Sequence, residues 1–239
     1  MGGQVVKSFA TYGEDAIFEG ILSRLEWVTG QRIGMQTFIE IGGFHPIIDS
    51  NTYHLYKERG WAGSVFEPNT VHNYYFETDR PRDKFYNLAV SKMPGEAEFL
   101  IFSDGDSSNT INANFAEEKQ KAQRTPIARK QKVEVVTLNQ VFELHREVFG
   151  NANPYLLSID AEGEDLAIIT GCNFNEYRPK FIMIEDRPGL SYFPNLGMIR
   201  PALAERNYHP IASSILTTIY IDYLSKESED YDKMGRFGN

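Results

Sequence analysis

Between Phe38 and Asn69 the chain reads FIEIGGFHPIIDSNT, then an amphipathic stretch, then VFEPN. A short apolar run ends in Glu40 and opens directly into Gly42-Gly43, and a second apolar run ends in Glu67. Strand, acid, glycine turn, helix, strand and acid is the order in which open α/β folds build a ligand crevice at the carboxyl ends of parallel strands. The glycines allow a ligand to approach the backbone, and the second acid is spaced to reach ribose hydroxyls. A dinucleotide fingerprint starting at Gly42 would need glycines where Phe44 and Ile47 stand, which disfavours a nicotinamide cofactor.

The rest of the chain continues the alternation. Helices are expected over Gly13–Trp27, from Pro46 to near Gly60, and over Thr70–Asp79, Leu138–Phe149, Glu164–Thr170 and Asn195–Arg206. Strands are expected over Thr37–Ile41, Ser64–Phe66, Phe85–Val90, Ala97–Phe102, Lys132–Val136, Tyr155–Asp160 and Lys180–Glu185, with a closing hairpin over Ala212–Ser214 and Thr217–Tyr223. Strands that are apolar throughout predict a mostly parallel sheet flanked by helices on both faces, and the closing hairpin predicts an antiparallel strand near the C-terminus. With 239 residues the simplest organisation is one α/β domain over 1–239, with an N-terminal helical segment over 1–30.

Residues 103–131 interrupt the pattern. Six basic residues (Lys119, Lys121, Arg124, Arg129, Lys130, Lys132) follow Glu117 and Glu118. They read either as a solvated charged face or as part of a lid or insertion over the crevice, with the lid slightly preferred. That segment and the Pro188–Asn195 loop are expected to carry selectivity.

Two further strand ends carry acids: Asp160, Glu162 and Glu164 in SIDAEGEDL, then Glu185-Asp186. One reading of Asp160 or Glu162 is that it caps the next helix. Carboxylates at adjacent strand ends also converge on the crevice, so Asp160, Glu162 and Glu185 are candidate general bases, with His45 at the glycine turn a further one. Asp160, Glu185 and Asp186 are the set that could hold Mg²⁺. The net charge of −9 disfavours nucleic acid as a partner. Cys172 is the lone cysteine, no apolar run approaches the ~20 residues of a membrane span, and MGGQVVKS lacks a signal-peptide core. Together these lead to the expectation of a cytoplasmic protein with no membrane partner.

The segments SFATYGEDAI, FIEIGGFHP, SNTYHLYKERGWAGSVFEPN, NLAVS, SSNT, SIDAEGEDL and YRPKFIMIE, in that order, resemble the FkbM-type methyltransferases over most of the chain. The resemblance implies a Rossmann-like class I methyltransferase fold that uses S-adenosylmethionine to methylate a hydroxyl of a sugar, glycan or natural product. It implies that Glu40, Gly42 and Glu67 contact the cofactor and that Asp160 lies near the transferred methyl. Gly43, Asn51, Pro68 and Ala89, within the same motifs, join the expected cofactor site. The acceptor would be a small molecule or a glycan, and homo-oligomerisation is left open. A non-catalytic ligand-binding module on the same fold and a nicotinamide-dependent oxidoreductase are the alternatives.

Overall fold

A computed structural model describes residues 7–186 and 196–235, so the Pro188–Asn195 loop lies outside the described residues. The main sheet is built from β1 (Thr37–Ile41), β2 (Ala62–Phe66), β3 (Lys84–Tyr86), β7 (Leu156–Ile159), β8 (Phe181–Glu185), β9 (Tyr208–Ser213) and β10 (Thr217–Asp222). Its order is β3-β2-β1-β7-β8-β10-β9. Pairing is parallel from β3 through β8, and β10 runs antiparallel to both its neighbours. The expected mostly parallel sheet with an antiparallel strand near the C-terminus is therefore present.

Side chains alternate between the two faces of the sheet, as the period of two requires. Phe38, Leu156, Phe181 and Met183 pack with Phe18, Leu22 and Leu25 of α1 (Glu14–Thr29), Leu55 of α2 (Tyr53–Glu58) and Phe76 of α3 (Asn73–Asp79). Ile39, Leu157, Ile182 and Ile184 face the other way. They pack on Val141 and Phe142 of α5 (Leu138–Phe149), Ile168 of α6 (Asp165–Thr170) and Leu203 of α7 (Leu196–Ala204). Each such side chain, fully buried, contributes about 1.5–3 kcal/mol. Helix ends follow local chemistry: the Thr137 hydroxyl accepts from the Gln140 N–H while the Gln140 side chain accepts from the Thr137 N–H, and Gly150 closes α5 in the left-handed region.

Three expectations change. Pro46 does not open a helix: residues 46–52 are irregular, Asp49 has φ of +55°, and α2 begins only at Tyr53. The expected Phe85–Val90 strand breaks at Asn87, whose side-chain amide donates to the Glu67 carbonyl and pairs with Asn73. Beyond the break, β4 (Ala89–Ser91) joins a separate three-stranded sheet with β6 (Arg129–Thr137) and β5 (Gly95–Ile101). Within 103–131, α4 (Ala113–Gln123) is a helix that Arg124 ends, and Arg129, Lys130 and Lys132 lie in β6. There Arg129, Lys130 and Lys132 pair with Asp104, Glu98 and Glu96, which makes that half of the basic run an exposed ion-paired face. α8 (Lys226–Gly235) packs against α1.

Candidate active site

β1 sits between β2 and β7, the place where consecutive connections leave in opposite directions and where open α/β sheets leave a crevice. Gly42 closes β1 with φ of +79°, and a Cβ there would lie 1.7 Å from the Asp160 carbonyl oxygen, so only glycine lets the ends of β1 and β7 approach. Phe44, Asp49 and Glu162 all hold positive φ (37°, 55° and 50°) around the same crevice. Backbone of that kind persists where the surroundings over-determine it, and it clusters at functional sites.

Two cavities meet here. The first lies between Gly42, Glu67 and Pro68 on one side and Leu88, Ala89, Val90, Phe99 and Ile111 on the other. The small sheet thus supplies an apolar wall. Glu67 stands at the exit of β2, where its two carboxylate oxygens accept the N–H groups of Phe44 (3.1 Å) and Asn69 (2.7 Å). Burial nevertheless pushes its pKa up to about 7. The second cavity is walled by Glu14, Asn51, Lys119, Glu185 and Leu216 among others. Thr11, Asp49, Ser107, Asp160 and Glu162 line both.

The Asp160–Asp165 turn is held from two sides. Asp165 accepts the N–H groups of Ala161 and Gly163. The Thr110 hydroxyl donates to the Glu162 carbonyl, and the Asn112 amide donates to the Gly163 carbonyl and to Glu164. Asp160 Oδ1 and Glu185 Oε2 are buried with no hydrogen-bond partner among the described residues. Burial, reinforced by neighbouring carboxylates, raises Asp160 to about 8 and lifts Glu162 and Glu185 well above the usual carboxylate range.

Of the residues expected at the cofactor, Gly42, Glu67, Pro68, Ala89 and Asp160 line the first cavity. Asn51 lines the second, and its amide donates to Ser158 Oγ. Glu40 lines neither: its carboxylate accepts from the Thr52 hydroxyl (2.7 Å) and Arg80 (3.2 Å) on the α1 side of the sheet. Gly43 also lines neither, and its missing Cβ makes room for Val65, from which an added one would be 2.3 Å away. His45 is likewise outside both cavities. Its Nδ1 accepts the Ile47 and Ile48 N–H groups and its ring stacks on Tyr75, so it shapes the turn.

The Mg²⁺ set is split by strand alternation. Glu185 faces the α1 side, whereas Asp186 turns toward α7, accepting from the Tyr220 hydroxyl with Arg200 at 3.9 Å. Among the described residues no group of three His, Cys, Asp or Glu side chains is arranged to hold a metal ion.

Thr11, Asp49, Glu14 and Lys119 also line the crevice, although none was expected by name as a site residue. The Gly13-Glu14-Asp15 box was the available signal for two of them. Asp15 accepts from the Ser8 hydroxyl and the Phe9 N–H, and Glu14 accepts from the Tyr12 N–H and the Ser214 hydroxyl. The box therefore ties residues 8–12 to the start of α1 and lays them along the crevice.

No helix among the described residues is long and apolar enough to cross a membrane. No curated protein and no solved structure matches the chain. A family model described as the methyltransferase FkbM domain matches residues 30–210, well over half of the sequence and including both cavities' strand-end acids. The chain belongs to the FkbM methyltransferase family.

Proposed function

We propose that the protein is an S-adenosylmethionine-dependent O-methyltransferase acting on a hydroxyl of a sugar, glycan or natural-product acceptor. The observation that carries this reading is the pair of confluent cavities with Asp160 and Glu162 at their junction. The donor fits the first cavity: the glycine turn allows close backbone approach, Glu67 suits ribose hydroxyls, and Leu88, Val90 and Phe99 offer an apolar slot for a base. When bound, S-adenosylmethionine supplies an electrophilic methyl group. Asp160 accepts the proton of the attacking hydroxyl, Glu162 orients the acceptor, and the 107–111 segment with α4 screens the crevice from water. The sheet order, with its single antiparallel strand, supports the finer assignment to a Rossmann-like class I fold.

Calorimetric titration tests the donor assignment. S-adenosylmethionine and S-adenosylhomocysteine are expected to bind with one-to-one stoichiometry and NAD not at all; absence of binding by both sulfur ligands would sink the reading. Glu67→Gln is expected to weaken both by about 10–100-fold, the equivalent of one charge-assisted hydrogen bond and a disturbed turn. The turn suffers because an amide NH₂ would then confront the N–H of Phe44 or Asn69. Unchanged affinity in that variant would remove Glu67 from the ribose role.

A further inference from the structure

The second cavity has a charge pattern that narrows its ligand. Five carboxylates face it, from Glu14, Asp49, Asp160, Glu162 and Glu185. Among the described residues lining it the one cation is Lys119, whose buried Nζ is already held by both oxygens of Asp106 at 2.7 and 2.8 Å. Lys119 therefore brings its own counter-ion, which leaves the five acids without a cation of their own among the described residues.

Glu185 is the decisive side chain. It is 7% exposed, it lines the second cavity and not the first, and its Oε2 has no partner among the described residues. A buried carboxylate without a partner is costly, and folding gains nothing from it. Replacement by an apolar residue would remove the cost, so what sustains the position is a group that arrives from outside. Glu14 shares the cavity, and each of its oxygens accepts one hydrogen bond, leaving further acceptor capacity.

We propose that the acceptor carries a protonated amine beside the hydroxyl to be methylated, as in an amino sugar or another amino alcohol, with the ammonium seated against Glu185 and Glu14. This rests on the methyl-transfer reading above. An ammonium donates three hydrogen bonds and one positive charge, which answers both the orphaned oxygen and the excess of carboxylates. A neutral polyol answers only the first, and an anionic acceptor is repelled. The arrangement also separates roles along the crevice: Asp160 at the junction meets the reacting hydroxyl, while Glu185, confined to the second cavity, meets the amine. Burial and mutual repulsion lift the carboxyls of Asp160, Glu162 and Glu185, so the empty cluster retains protons that a bound ammonium displaces.

The full-length protein saturated with S-adenosylhomocysteine is titrated calorimetrically with methyl glucosaminide, methyl glucoside and methyl glucuronide. The glucosaminide is expected to bind at least about tenfold more tightly than the glucoside, with no binding of the glucuronide. Glu185→Gln is expected to bring the first two within about twofold of one another. The same variant should melt at or above the wild-type temperature, because it removes a buried acid that the fold leaves without a partner among the described residues. Failure to bind S-adenosylhomocysteine counts against the methyl-transfer reading itself. With that ligand bound, a glucosaminide no tighter than the glucoside, no binding of any probe, or a Glu185→Gln protein melting below wild type overturns the amine assignment alone.

Discussion

Asp160→Asn is expected to lower methyl transfer by about 10²–10⁴-fold, the span of a positioned general base. Asparagine keeps the size and hydrogen-bonding reach of aspartate but cannot take the hydroxyl proton. The donor should still bind, so the loss falls on kcat more than on affinity for S-adenosylmethionine. The pH profile gives a second readout. With its pKa raised to about 8, Asp160 is protonated below that value, so wild-type kcat/KM should climb with pH and level off above it. In the variant this limb disappears. Stability should move in the opposite direction. A carboxyl whose pKa is higher folded than unfolded favours the folded state at low pH, and that contribution is lost as pH rises from its unfolded value of ~4 through the folded one. Wild-type Tm should therefore fall between mildly acidic and mildly alkaline pH, and Asp160→Asn should flatten the decline. A variant that keeps wild-type turnover would show that the proton leaves by another route.

The sheet was legible because its strands are short apolar runs ending in acids or glycines, a pattern that only a doubly covered parallel sheet requires. The strand ends at Glu67, Asp160 and Glu185 were legible for the same reason: an acid at the exit of a buried strand has few places to go except the crevice. What the pattern could not show is which way a polar side chain turns once it gets there. Glu40 and Glu67 occupy similar positions in sequence, yet Glu40 points back under the sheet because Arg80, forty residues away, waits there. Glu185 and Asp186 are adjacent, and alternation sends them to opposite faces. The 46–52 stretch has helical spacing but folds irregularly, since Ser50 and Thr52 place their hydroxyls on Arg80 and on backbone N–H groups instead of leaving them to solvent. The second sheet was hidden because β4 has only three residues and its partner β6 lies beyond a helix.

Arg80→Met is expected to destabilise the fold by about 3–5 kcal/mol, the cost of leaving buried charges without their partner. For a domain of this length that is a fall in Tm of about 6–20 °C. Arg80 is 1% exposed and surrounded by Phe38, Tyr56 and Phe76. Its Nε pairs with Asp83 at 2.5 Å, and its terminal nitrogens reach Glu40, Ser50, Thr52 and the Pro46 carbonyl. Methionine fills much of the volume and satisfies none of these acceptors. Burial already raises the carboxyls of Glu40 and Asp83, and the attraction of Arg80 opposes that rise. Without the arginine both pKa values climb further, so the deficit should be smallest in mild acid, where both carboxyls take up protons, and largest above neutrality. Adding Glu40→Gln and Asp83→Asn to Arg80→Met should recover part of the loss, since the orphaned charges then disappear. The same guanidinium pins the 46–52 segment that carries Asp49 and Asn51 to the crevice. Donor and acceptor affinity should therefore drop even at temperatures where the variant remains folded. A loss under about 1 kcal/mol, the range of an exposed ion pair, would mean that Arg80 is not the peg holding this loop.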